Sequence, residues 1–314
     1  MEEKVLLEVS GVSKSYGDKV AVKDINFSVQ KGHIFGLLGP NGAGKTSLIR
    51  MINGIISQDE GRISLNGEEH PEKRQRMIGY LPEERGLYPK MKVGEQLLYL
   101  SQLKGLDKKK ANVRLKELFE QFGASEWWDL KVESLSKGMA QKLQFIATIV
   151  HKPPMLILDE PFTGFDPVNT QKIVDHLLHL KAQGTSILLS THRMESVEAL
   201  CDEVAFIHRS EKILSGKLMD IKQQYKKGLF ECKIASTNFP PSLAHPAYEC
   251  LSQEESDGVI ALRLKIHGSS NEILQDLMQY GDLCYFEEIL PKMNEIFIDL
   301  AAEKTTNETK QEKA

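Results

Sequence analysis

The segment Gly39-Pro40-Asn41-Gly42-Ala43-Gly44-Lys45-Thr46 fits the pattern GxxxxGK[ST], and it lies between an apolar strand-like run and helical sequence. Such a loop cradles phosphate. Its glycines let backbone N–H groups curl around an anion without Cβ obstruction, and the helix that begins here aims its positive dipole end at the same charge. In this pattern Lys45 bridges the β- and γ-phosphates, the Thr46 hydroxyl ligates Mg²⁺, and Ser47 completes the phosphate cradle with the loop glycines. A glycine-rich turn that holds nothing is the bland alternative, and the strand, the helix start and the Lys-Thr pair together weigh against it. A second apolar run, Met155-Leu156-Ile157-Leu158, ends in Asp159-Glu160. The first acid can orient Mg²⁺, directly or through a water, and the second is then placed to orient and deprotonate an attacking water. Many strands end in carboxylates, so this pair gains its meaning from following a phosphate loop in the same chain.

Groups with these tasks need rigid supports. Residues 33–38, 155–158 and 186–190 are continuous apolar runs that each end at a polar or glycine-rich loop before helical sequence. That is the pattern of buried parallel strands in an α/β core, whose ligand sites lie at the strands' carboxyl ends. Residues 5–9, 27–29 and 62–65 alternate instead, punctuated by Gly17-Asp18, Lys31-Gly32 and Asn66-Gly67, which predicts an antiparallel sheet with tight turns. Over residues 93–151 the spacing turns helical: Leu97, Leu98 and Leu100 precede Gly105, and Leu115, Leu118, Phe119 and Phe122 precede Gly123. A helix over 168–183 closes at Gly184. After Tyr225 come strand-like segments at 230–235, 259–266 and 283–289, helical ones at 271–280 and 292–300, and a proline-rich loop at 238–246. Residues 226–302 thus read as a small α+β domain after a nucleotide-binding domain over 1–225, with the charged tail 303–314 expected to be disordered.

With 314 residues there is room for one large core and a smaller neighbour. A net charge of −4 gives no pull toward nucleic acid, and the one compact basic run, Lys108-Lys109-Lys110 with Arg114, reads as the solvated start of a helix. Cys201, Cys232, Cys250 and Cys284 have no CxxC spacing, which favours reduced thiols in cytosol over a zinc site or a disulfide framework. No apolar run approaches the roughly 18–20 residues of a membrane-spanning helix, and the acidic, then strand-like, N-terminus is unlike a signal peptide. A membrane role would therefore need another polypeptide.

Leu135-Ser136-Lys137-Gly138-Met139, followed by Ala140-Gln141-Lys142, lies between the phosphate loop and the Asp-Glu strand and resembles the signature motif (LSGGQ type) of ABC ATPases. Thr163-Gly164-Phe165-Asp166 resembles that family's D-loop, His192 its switch histidine, and Tyr16 the aromatic residue that stacks on adenine. The match runs in order from about Val5 to about Tyr225. The resemblance implies a P-loop α/β core with an antiparallel β subdomain and a helical subdomain, and Mg-ATP hydrolysis by a head-to-tail dimer. ATP would lie between one copy's phosphate loop and the other's signature. There Ser136 resembles the N-cap of a helix running through Leu143, Ile146 and Val150, so that its hydroxyl, the Gly138 amide and the helix dipole face the γ-phosphate. Glu160 would serve as general base, His192 would report loss of the γ-phosphate, and Asp159 with Thr46 would serve the metal.

Two departures stand out. Ile78-Gly79-Tyr80-Leu81-Pro82-Glu83-Glu84-Arg85 puts glutamate where the family's Q-loop offers the glutamine that touches Mg²⁺ and couples to the membrane partner. A carboxylate can still ligate the metal, while adding negative charge beside triphosphate. Lys137 and Met139 replace a glycine and a glutamine of the signature, and Lys137 either adds a cation near the opposed γ-phosphate or points to solvent. The C-terminal unit, through 291–300 and the 80–88 stretch, resembles the accessory domain of type-2 exporter ATPases. That implies export through a separate membrane-spanning permease, with this chain peripheral on the cytoplasmic face. Of the adjacent Trp127 and Trp128, one is expected to be buried and the other interfacial, since neighbours in a helix do not share a face. The rival reading is a soluble ABC ATPase acting on ribosomes or nucleic acid. Against it stand the single ATPase core, the lack of a basic linker, and an insertion too short for long coiled coils.

Overall fold

The computed structural model describes residues 4–84, 86–163, 167–236, 239–240, 243 and 245–311. The chain forms two compact units, residues 1–218 and 219–314, so the division falls a little before the boundary expected after Tyr225.

The first unit begins with an antiparallel hairpin, β1 (Val5–Tyr16) and β2 (Lys19–Gln30), followed by β3 (Ile34–Leu38), α1 (Lys45–Ile52), β4 (Glu60–Leu65), α2 (Pro71–Met77) and β5 (Ile78–Leu81). Three helices follow, α3 (Val93–Leu103), α4 (Lys108–Gln121) and α5 (Lys137–Ile149). The chain then returns through β6 (Met155–Asp159), α6 (Pro167–Ala182), β7 (Ser186–Thr191), α7 (Met194–Leu200), β8 (Glu203–His208), β9 (Glu211–Lys217) and α8 (Leu218–Gln224), which crosses into the second unit. The strands make a three-stranded antiparallel sheet, β2-β1-β4, and a six-stranded sheet, β5-β6-β7-β3-β8-β9, parallel except for β9. Every residue of β3, β6 and β7 is buried, as continuous apolar runs in a doubly covered parallel sheet must be. Leu48, Ile49, Met51 and Ile52 of α1 join one core with Val22, Ile25, Ile63 and Leu65 of the antiparallel sheet and Leu37, Ile157 and Leu188 of the parallel one. Each such side chain contributes roughly 1.5–3 kcal/mol by leaving water. The helix that carries the phosphate loop is therefore clamped between two sheets.

In the helical part, Leu97, Leu115, Leu118, Phe119, Leu143 and Ile146 are buried, as their spacing predicts. Trp127 and Trp128 depart from expectation: both are half-buried, because they lie in and after a single 3₁₀ turn, Ser125–Trp127, and not within a long helix. Trp128 packs against Gly94, where any Cβ would meet its indole, and lies edge-on to Phe119 at 5.4 Å between ring centroids.

The second unit is a sheet of β10 (Leu229–Ala235), β11 (Tyr248–Ser256), β12 (Val259–Ile266) and β13 (Asp282–Ile289), in the order β11-β12-β10-β13 and antiparallel throughout. With α9 (Ser270–Leu277) it closes a small core of Cys232, Ile234, Tyr248, Ile260, Leu262, Leu264, Ile273 and Leu277. Strand β11 is absent from the sequence expectation, because its polar Glu249, Ser252, Gln253, Glu254 and Glu255 conceal the alternation. Residues 241, 242 and 244 of the expected 238–246 loop lie outside the described residues, as does Asn238. Helix α10 spans Met293–Gln311, continuing beyond the 292–300 segment expected to be helical. Its first turns are anchored by the buried Met293 and Ile296, and helix propagation costs little once a nucleus exists.

Candidate active site

The phosphate loop follows β3 and its backbone is one only glycine accepts readily. Gly39 has φ +148° and Gly44 φ +108°; a Cβ at the first would strike the Ile207 carbonyl and one at the second the Ala21 carbonyl. Gly44 caps α1 without any side-chain hydrogen bond, so the first-turn N–H groups stay open toward the loop, as an anion site requires. Lys45 is almost fully buried and folds over the loop, donating to the Gly39 carbonyl at 2.7 Å and the Pro40 carbonyl at 3.0 Å. Burial lowers its ammonium below the ordinary range, against the pull of Glu160, Asp159 and Glu83.

Strand β6 delivers the carboxylates. Asp159 is 2 % exposed, and burial raises its carboxyl above the usual range; the Thr46 hydroxyl, donating to it at 3.3 Å, opposes that shift. Glu160 has φ +50°, so the chain reverses there and turns the carboxylate back toward the neighbouring strand end. The reversal is held by Glu160 N–H on the Ser190 carbonyl at 2.9 Å and by Thr163 N–H on the Glu160 carbonyl at 3.2 Å. The carboxylate accepts from the His192 N–H at 3.1 Å and the Thr191 hydroxyl at 3.3 Å, and His192 Nδ1 lies 2.7 Å from it. Thr191 is a partner that sequence reasoning missed; its place, one residue before the strand-end histidine, is the only signal it gives.

These groups surround an open cleft of about 360 Å³, lined by Asn41, Gly42, Gly44, Lys45, Thr46 and Ser47 on one side and by Glu83, Asp159 and Glu160 on the other. Tyr16 and Lys19 form its rim, and Lys19 is a second residue that sequence reasoning missed. A basic loop facing three carboxylates suits a polyphosphate accompanied by a hard cation. The donors offered to such a cation by Thr46, Asp159 and Glu83 are oxygens alone, too few to enclose it, which fits Mg²⁺ retaining waters and phosphate oxygens. Among the described residues no cluster of three or more His, Cys, Asp or Glu is disposed to cage a metal. Ser136 and Gly138 are not among the residues lining the cleft of their own chain. Ser136 caps α5 by accepting from the Met139 N–H at 3.3 Å, as expected, and the helix ends at Ile149. Lys137 is exposed and lines a neighbouring cleft of about 330 Å³ with Glu83, Glu84 and Gln141, and the Gln141 side-chain amide donates to the Thr163 carbonyl. Gly164, Phe165 and Asp166 of the D-loop-like segment, and Arg85, lie outside the described residues.

Residues 22–163 match the family model described as "ABC transporter", and residues 216–301 match "ATP-binding protein DrrA1-3-like, C-terminal domain". The chain is 42 % identical over 297 residues to the ABC transporter ATP-binding protein YhaQ of Bacillus subtilis (strain 168), spanning 94 % of this chain and 98 % of that one. It is 38 % identical over 214 residues to the Nod factor export ATP-binding protein I of Bradyrhizobium diazoefficiens, spanning 67 % of this chain and 70 % of that one. A solved ATP-binding subunit of an ABC transporter superposes with a TM-score of 0.67 at 34 % identity, covering 70 % of this chain and 93 % of that chain. No helix among the described residues is long and apolar enough to cross a membrane. With a phosphate-loop core and a DrrA-like C-terminal domain, the chain belongs to the ATP-binding, ATP-hydrolysing subunits of ABC transporters.

Proposed function

We propose that the protein hydrolyses Mg-ATP as a head-to-tail homodimer and so drives export through a separate membrane-spanning permease, working from the cytoplasmic face. The observation that carries the catalytic part is the Glu160 carboxylate, 9 % exposed, turned back at the end of β6 and held by His192 and Thr191 on the wall opposite Lys45. In this reading the loop residues 39–47 hold the triphosphate, Tyr16 stacks on adenine, and Thr46, Asp159 and Glu83 hold Mg²⁺, which would offset charge on the phosphates. Glu160 accepts the proton of the attacking water, and His192 fixes the Glu160 carboxylate and meets the γ-phosphate. The exposed Ser136 hydroxyl and the Gly138 amide serve the facing copy's nucleotide, consistent with their position outside their own chain's cleft. Export is supported by the similarity to a Nod factor export subunit. Nucleic acid is not a partner in this reading, in keeping with the net charge of −4.

The decisive experiment is affinity purification of tagged Glu160→Gln protein with ATP, from detergent-solubilised membranes and separately from cytosol. Recovery with a polytopic membrane protein is expected. Recovery with ribosomes or nucleic acid, or alone, would overturn the transport reading and leave ATP hydrolysis standing.

A further inference from the structure

Tyr16 is the last residue of β1 and pairs with Lys19 across the two-residue turn Gly17-Asp18. A hairpin tip has few neighbours and frays unless something holds it. The β1–β2 ladder is irregular just before Tyr16, with register shifts between Val12 and Lys14 and between Lys14 and Ser15. At that break the Ser15 N–H donates to Asp59 Oδ2 at 2.7 Å. Asp59 Oδ1 receives the Lys14 ammonium at 2.6 Å, and the Asp59 N–H donates to the Ser13 carbonyl at 2.9 Å. Asp59 directly precedes β4, whose first residue, Glu60, pairs with Ser13. One aspartate therefore ties the start of the third strand to three consecutive residues before the tip. Lys14 is only 17 % exposed, unlike a mobile surface lysine, and its ammonium lies 5.8 Å from the Tyr16 ring centroid, within cation–π range. Neither Lys14 nor Asp59 is among the residues lining the nucleotide cleft.

We infer that Asp59 and Lys14 are positioning residues for the nucleobase platform: together they fix the Tyr16 ring at the cleft rim, and so set affinity for the base of the nucleotide without acting on its phosphates. The inference rests on the proposed stacking of adenine on Tyr16. Charge-assisted hydrogen bonds hold the backbone at residue 15, and the Lys14 cation restrains the ring itself.

The test uses the full-length protein and two ligands, ATP and inorganic tripolyphosphate, titrated by calorimetry. Tyr16→Ala is expected to weaken ATP about tenfold and leave tripolyphosphate within about twofold. Asp59→Ala should show the same split with a loss of about three- to tenfold, Lys14→Met about threefold, and Lys14→Arg should restore native affinity. Tripolyphosphate serves as an internal check that the phosphate loop is folded. Native ATP affinity in Asp59→Ala and Lys14→Met, beside a loss in Tyr16→Ala, would overturn the positioning role alone. Equal loss of both ligands in Asp59→Ala would also overturn it, since that is the mark of general destabilisation. Native affinity in Tyr16→Ala would remove the stacking role of Tyr16 and the inference with it.

Discussion

A glutamate held at φ +50° costs of order 1–3 kcal/mol, and at Glu160 the backbone accepts that cost at the very residue whose carboxylate meets His192. Left in the extended conformation of β6, its side chain would follow the strand's alternation; the reversal points it toward the end of β7. Asp159, one residue earlier, stays in the strand beside Thr46. A single backbone turn thus sends two adjacent acids to different partners, Asp159 to Thr46 and Glu160 to His192. Glu160→Gln is expected to bind ATP within a few-fold of the native protein, to lose at least about a hundredfold in turnover, and to persist as a dimer in size-exclusion chromatography with ATP. Hydrolysis at the native rate in that variant would sink the role of Glu160 as base.

At the scale of elements, the seam between the helical part and the parallel sheet is closed by side-chain nitrogens that reach backbone carbonyls. Lys104, capping the C-terminal end of α3, donates to the Gln75 carbonyl at 2.7 Å and the Ile78 carbonyl at 2.9 Å, while His151 Nε2 lies 3.3 Å from the same Ile78 oxygen. Burial lowers the His151 imidazole to about 4, the Lys104 charge adds to that, and the Ile78 carbonyl opposes it. The folded value therefore lies below the unfolded one near 6.5, so the unfolded chain takes up the extra proton between them. This contribution is complete above about pH 6.5 and is lost as pH falls toward 4, up to roughly 3 kcal/mol in all. Chemical denaturation of His151→Leu across that window should show a flatter dependence of stability on pH than the native protein; parallel curves would contradict the assignment.

For the whole molecule, the question is which surfaces complete one nucleotide site. Lys45 lies in the cleft, whereas the exposed Ser136 is not among the residues lining it. In the proposed head-to-tail pair, Ser136 and Gly138 would come from the facing copy. Lys45→Ala and Ser136→Glu should each abolish turnover alone. Mixed in equal amounts they should recover about a quarter of native activity, because about half the dimers are mixed and each of those has one intact site of two. Absence of any recovery in the mixture, under conditions where subunits exchange, would exclude the head-to-tail arrangement.

Much of this protein is written locally in its residues. The phosphate loop, the apolar strands before it and before Asp159, the Ser136 cap and the helical spacing of Leu97, Leu115 and Leu118 all depend on neighbours a few positions apart, and each reappears in the folded chain. The first unit's antiparallel sheet was legible as a sheet, but its reach was not. Beyond Val9, polar Ser10, Lys14 and Ser15 break the alternation, and pairing with β2 and β4 carries β1 on to Tyr16. Only the tertiary structure decided the pairings across long separations. Thr46 meets Asp159 from 113 positions away, Glu160 meets the His192 side chain across 32, and Asp59 reaches the Ser15 N–H across 44. A strand or a helix start follows from short-range sterics and hydrophobic period, which single segments carry. A carboxylate's partner is set by strand order in the sheet, β6 beside β7 and β7 beside β3, which the whole core selects by burying all of its apolar strands at once.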